Sequence, residues 1–441
     1  MHEPLGGFSP DTFRRRRERT LAGLDDGVLV LPAAPELFRS RDTEHPYRPD
    51  SELFYLTGVV EPVAVAVLRP GEREQFTLFV QGREPEMELW TGERLGPDRA
   101  REVFGADAVH PISELEAKLA PLLGGPRSIY YRWGASDRTD RIVLDALARG
   151  RARGPRKGTG PRAVIDPGEI LDEQRLIKEA DEIALLRRAA GITVDAFRTA
   201  LGATAPGVGE WELEAILDGS FRRAGADGPG YETIVGSGKN ACVLHYVQNG
   251  SVLTDGDLVV VDAGAALGLY HADITRTFPV SGRFTGEQRA VYEVVESARA
   301  AAVAATRPGA TIAGIHRATE EMMTAGLVEL GVLSGDVATL VGEGKHRPFY
   351  PHQTSHWLGL DVHDVGDYVR GGEPRVLAPG MVFTVEPGLY FRPGTPESER
   401  FAGIGVRVED DVLVTATGCE NLTGALPTAA DQVAALVGRA S

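Results

Sequence analysis

Cysteine is scarce, with only Cys242 and Cys419 among 441 residues. Two thiols cannot build a disulfide framework, and they fit a reducing compartment. Positive charge is also short, since 47 Lys and Arg face 63 Asp and Glu for a formal net charge of -16. A chain so acidic is poorly suited to nucleic acid or to an anionic membrane surface, because phosphate contacts need clustered cations. No apolar run approaches the ~18–20 residues of a membrane span. The start, Met1 to Gly7, lacks the basic and apolar regions of a secretory signal, so a cytoplasmic enzyme is the expectation. The remaining composition, 42% apolar and 25% charged, is that of a globular chain long enough for two or three domains.

Short apolar, β-branched or aromatic runs at 27–34, 63–68, 76–80 and 128–131 read as buried strands. Helical stretches around 113–123 and 137–149 alternate with some of them, which predicts an N-terminal α/β domain. The arginine run from Arg14 reads as a solvated first helix, because acidic residues flank it and no aromatic interrupts it. Residues 150–168, rich in Gly, Pro and Arg, read as a linker or exposed loop, and a charged helix follows from about Lys178 to Leu201. The domains are therefore placed at 1–174 and 175–441. The second holds a faint repeat, helix, Pro-Gly turn, helix, with Pro206 and Pro308 in equivalent places.

The chemistry-bearing residues lie in the second part. Leu258–Val261 is an apolar strand that runs into Asp262, a glycine turn follows, and residues 269–278 alternate as a second strand. Ten residues separate Asp262 from Asp273, so a hairpin can bring both to one end. Adjacent carboxylates repel unless one is protonated or a cation lies between them. Alone, Asp262 fits a turn residue after a strand equally well. Glu386 ends the strand Met381–Val385 and precedes a Pro-Gly turn. In 403–415 the alternation puts Val406 and Val408 on one face, and Arg407 and Glu409 on the other. Arg407 is then a partner for Glu409 or another carboxylate.

Seven of ten histidines follow residue 240, among them His352, His356 and His363. His352 and His356 have the four-residue spacing of a helical zinc pair, but Gln353 stands where that motif needs Glu, and nearby Pro and Gly oppose a helix. The set Asp262, Asp273, His356, Glu386 and Glu409 is oxygen-rich with one nitrogen. It suits Mn²⁺, Co²⁺, Fe²⁺ or Zn²⁺ in a two-ion site better than a tetrahedral structural zinc.

The order and spacing of these five residues resemble the dinuclear metallopeptidases of pita-bread fold, which include methionine aminopeptidase, prolidase and aminopeptidase P. The strings GYETIVGSGKNACVLHY (230–246), DAGAALGLYHADITRTFPVSG (262–282), SHWLGLDVHDVG (355–366), TVEPGLY (384–390) and RVEDDVLVT (407–415) are similar to bacterial aminopeptidase P, the Xaa-Pro aminopeptidases. RDTEHPYRPDSELFYLTGVVEPVAVAVL (41–68) resembles the N-terminal domain of that family.

The resemblance implies an α/β (α+β) chain: a creatinase/aminopeptidase P-like domain, then a pita-bread catalytic domain with a pseudo-twofold repeat. It also implies two divalent ions, with manganese foremost, and a bridging hydroxide that attacks the bond before proline. Asp262 would hold one ion, Asp273 and Glu409 would bridge, and His356 and Glu386 would hold the other. Glu386 would also carry a proton to the leaving nitrogen. His245, His352 and His363 would line the site, with His363 and His245 best placed to meet the substrate carbonyl. Tyr231, Thr275 and Arg407 would belong to the pocket and to the ring of residues around the ligands.

Trp90 resembles a tryptophan that this family lends to a neighbouring subunit, which would make the chain a homo-oligomer, a dimer or tetramer. A core or surface tryptophan is the other reading. Trp357 and His271 read as structural. Prolidase activity on dipeptides, and a non-catalytic protein-binding role, are the remaining alternatives. The expected partner is a peptide with Xaa-Pro at its N-terminus, with neither nucleic acid nor membrane.

Overall fold

The structure is a computed structural model. It describes residues 7–157, 159–394 and 396–439. Residues 1–6, on which the absence of a secretory signal was read, lie outside the described residues. The chain divides into two compact units, Met1–Gln174 and Arg175–Ser441.

The first unit is built on a six-stranded mixed sheet. Val28–Pro32 lies near its middle, antiparallel to Val65–Leu68 and parallel to Ser128–Tyr130. Phe76–Val80 and Ala108–Pro111 extend one side, and Ala163–Ile165 ends the other. Its three main strands are buried throughout, as uninterrupted apolar runs require when both faces are covered.

Two expectations are corrected here. The stretch 150–168 is not a linker. The helix Asp137–Lys157 runs through its first half, and Ala163–Ile165 pairs as a strand in its second. Gly150 is a packing glycine, since a Cβ there would meet the Pro161 carbonyl oxygen at 2.8 Å. Nor is the arginine helix, Pro10–Gly23, wholly solvated, because Arg16 and Arg17 are buried. The Arg16 guanidinium lies 4.1 Å from the Tyr55 ring centroid and donates to the Tyr55 carbonyl, and Arg17 donates to Leu56. Aromatic faces and backbone carbonyls replace the water these cations lose.

The second unit contains the repeat. The helices Ala180–Ala203 and Glu210–Arg223 form one pair, and Gly286–Ala305 and Ile312–Glu329 the other. The turns match in detail. Gly207, at φ 92°, donates to the Leu253 carbonyl, and Gly309, at φ 89°, donates to Leu377. Positive φ at both turns is why glycine follows each proline. Each half supplies an antiparallel three-stranded sheet, one containing Leu258–Ala263 and Ile274–Pro279, the other Val382–Val385 and Asp410–Val414. The two sheets meet where the Glu409 N–H donates to the Thr275 carbonyl at 3.0 Å. This junction gathers the strand ends that bear the acidic residues.

Candidate metal centre

In the first hairpin Asp262 pairs with Thr275, and Asp273 immediately precedes the second strand. The expected long second strand is broken, because Tyr270–His271 pairs with Ala265–Leu267 instead. In the second hairpin Val385 pairs with Asp410, so Glu386 and Glu409 project from the same end. His356 is joined to that strand by a hydrogen bond from the Thr384 N–H to its carbonyl. All five side chains line one cavity of about 810 Å³, with Tyr231, His245, His352, His363 and Arg407.

Donor atoms of Asp273, His356 and Glu409 lie within 4.8 Å of one another. His356 Nδ1–H donates to the Trp357 carbonyl at 3.0 Å, which fixes the tautomer and turns Nε2 toward Asp273 (3.4 Å) and Glu386 (3.5 Å). The Tyr231 hydroxyl lies 2.6 Å from Asp262 Oδ1 and also meets Asp273. Arg407 reaches Asp262 at 2.6 Å, rather than Glu409. Thr275 Oγ1 donates to Glu409 at 2.6 Å and accepts from Arg407 Nε at 3.1 Å, so it relays between the two.

The electrostatics are those of an anionic cluster short of positive charge. Burial, then the charges of Asp273, Glu386 and Asp262, push the Glu409 carboxyl well up. Burial lifts Glu386 to about 7 against the pull of His356 and Arg407, and burial also raises Asp262. At His356 burial disfavours the imidazolium, but Asp273 and Glu386 outweigh it and hold the ring at about 9. Divalent cations fit this donor set, because the field that retains protons on Glu409 and His356 is the field that attracts a cation.

Two groups escaped the sequence reading. Tyr390 OH accepts from Arg407 at 2.9 Å and lies 3.0 Å from His352 Nε2, tying both to one strand. It stands four residues after Glu386 but beyond the Pro-Gly turn, in the separate short strand Gly388–Tyr390, so no periodicity in the sequence linked the two. Asp364 carried no signal beyond its place after His363. Trp357 is buried, and the His271 N–H donates to Gly359. Trp90 belongs to the first unit, where it is 82% exposed.

A two-fold repeated domain that gathers carboxylates and histidines at its strand junction defines a divalent-metal hydrolase site. Residues 184–416 match metallopeptidase family M24, and residues 13–130 match the aminopeptidase P N-terminal domain. The chain is 43% identical over 436 residues to the Xaa-Pro aminopeptidase of Escherichia coli K12, covering 98% of this chain and 99% of that one. Among solved structures it is similar to Pseudomonas aeruginosa aminopeptidase PepP, with a TM-score of 0.94 at 43% identity, covering 98% of this chain and 99% of that one. It is equally similar to zinc-substituted E. coli aminopeptidase P in complex with product, with a TM-score of 0.94 at 42% identity and the same coverage. The chain belongs to metallopeptidase family M24, and its N-terminal domain is that of aminopeptidase P.

Proposed function

We propose that this chain is an Xaa-Pro aminopeptidase working with two divalent ions, manganese foremost. The convergence of Asp262, Asp273, His356, Glu386 and Glu409 on one cavity carries the reading. Asp262 would hold one ion, His356 and Glu386 the other, and Asp273 and Glu409 would be shared between them. Bound ions of this kind polarise a carbonyl and make water acidic.

The chain's own groups do the rest. Glu386, facing His356 and His352 at the cavity wall, takes a proton from the attacking water and hands it to the proline nitrogen. His363 and His245 donate to the carbonyl oxygen as charge develops there. Arg407 and Tyr231 hold Asp262 in place, and Thr275 holds Glu409. His352, anchored on Tyr390, borders the substrate beside Glu386. Leu244, Val247, Ile312 and Val362 line the same cavity and offer an apolar wall to a pyrrolidine ring. An Xaa-Pro bond lacks an N–H, so a site that excludes other amides by shape has no donor to lose.

The domain 1–174 serves assembly and the rim of the site, and Trp90, beside exposed Leu89, supports a homo-oligomer. Two free cysteines and no described helix long and apolar enough to cross a membrane support a cytoplasmic setting. The test is to strip the protein with chelator, restore Mn²⁺, and follow Gly-Pro-Ala, Gly-Pro and Gly-Ala-Ala side by side. Metal-dependent release of Gly from Gly-Pro-Ala alone is expected. Cleavage of Gly-Pro alone moves the assignment to prolidase, and no cleavage with any divalent metal refutes catalysis.

A further inference from the structure

His363 is exposed at the cavity wall, its ring edge-on to that of His356 with centroids 4.5 Å apart. Among the described residues no hydrogen bond or ion pair anchors the His363 ring. Its place therefore depends on the backbone that carries it. That backbone is the glycine-bounded stretch 359–366, and the next residue, Asp364, is fastened from beneath.

Asp364 Oδ2 lies 2.9 Å from Lys178 Nζ, and Oδ1 lies 2.6 Å from the Arg175 guanidinium, which also reaches Asp361 at 2.6 Å. The Asp364, Lys178 and Arg175 side chains are 1%, 1% and 2% exposed. Gly359 makes room for them, since a Cβ there would meet Asp364 Oδ2 at 2.2 Å and Lys178 Cε at 2.8 Å. The Asp364 N–H donates to the Trp357 carbonyl at 2.9 Å, the same oxygen that holds His356 Nδ1. The Lys178 N–H donates to Gly380 at 2.9 Å, so the clamp is itself tied to the turn before the strand that ends at Glu386.

Burying three charges costs free energy that an apolar plug would avoid, so stability alone gives no reason for them. We propose that Asp364 is a positioning residue: the Lys178–Asp364–Arg175 clamp fixes the loop that presents His363 to the substrate carbonyl. The role rests on the peptidase reading given above. The carboxylate does not touch substrate. It acts through the backbone on the histidine beside it.

The test uses the manganese-loaded enzyme with Gly-Pro-Ala. Asp364→Asn is made alone and, to keep charge balanced should the single variant misfold, together with Lys178→Met. Both are also made on a His363→Ala background. The backbone bonds to Trp357 survive these changes, so bound metal stays at the wild-type level. In each form kcat falls about 10- to 100-fold, the range for residues that orient a functional group. On the His363→Ala background the same changes cause no further fall, because the group they place is gone. Losses that multiply across the two sites overturn the proposal. So does a folded charge-balanced variant with kcat within about twofold of wild type. A wild-type enzyme inactive on Gly-Pro-Ala, with the clamp variants unchanged in stability, sinks the peptidase reading and this role together.

Discussion

Glu409 and Asp410 are neighbours in the chain, both carboxylates and both buried, yet their surroundings are opposite. Asp410 lies 2.8 Å from Arg276 and 2.7 Å from Arg299, and it accepts from Thr423 and Asn421. Burial pushes its carboxyl up, but the two guanidinium charges prevail and hold it below the usual range. Glu409 faces Asp273, Glu386 and Asp262 and is pushed far the other way. The strand turns one side chain into a charge-balanced knot and the next into an anionic cluster short of cations. The first arrangement is complete within the protein. The second is complete only with a ligand, and that is the physical mark of a site.

The comparison breaks most visibly at Glu386, which combines a ligand role with proton transfer. Glu386→Ala should lower kcat on Gly-Pro-Ala by about 10³-fold or more while the far-ultraviolet circular dichroism stays unchanged. Near-native turnover with full metal content would sink the assignment. The adjacent pair sharpens it further. Asp410→Asn weakens the anchor of two buried arginines and should cost about 3–5 kcal/mol in urea unfolding of the metal-free chain. Glu409→Gln should leave that stability unchanged or raise it, because it relieves like-charge repulsion, yet it should abolish activity. Equal stability losses for the two would erase the distinction. Thr275→Val, which removes only the hydroxyl between Glu409 and Arg407, should cost about 10- to 100-fold in activity or metal affinity, read by titrating Mn²⁺ into the stripped enzyme.

The same contrast explains what could be read beforehand. Asp262 and Glu386 each follow an apolar run, and Asp273 and Glu409 fall in alternating stretches, so it is the set of carboxylates rather than any one of them that demands a reason. Polar placement against apolar context is visible in one dimension. The clamp on Asp364 is not, because Lys178 lies 186 positions away in sequence. Nor is the burial of Arg16, which depends on the Tyr55 ring brought up from another helix. Composition misled at 150–168 because glycine marks close packing as well as looseness. Gly150 against Pro161 is the former. Local pattern reports a residue's own chemistry, whereas long-range partners decide whether a charge is balanced.

Trp90 tests the comparison from the opposite side, since it is apolar and uncovered where Glu409 is charged and enclosed. Its helix, Pro85–Thr91, has no buried residue, and Leu89 is 83% exposed beside it. Truncating a side chain that is 82% exposed should leave the unfolding midpoint unchanged. If Trp90 instead borders a neighbouring subunit's site, Trp90→Ala should lower kcat/KM for Gly-Pro-Ala by about fivefold, ~1 kcal/mol, with metal content intact. The loss should grow on dilution as the assembly dissociates, which sedimentation run alongside the assay would follow. An active monomer indifferent to the change would show that the exposed helix serves something other than the peptidase site, and that the catalytic unit is complete within one chain.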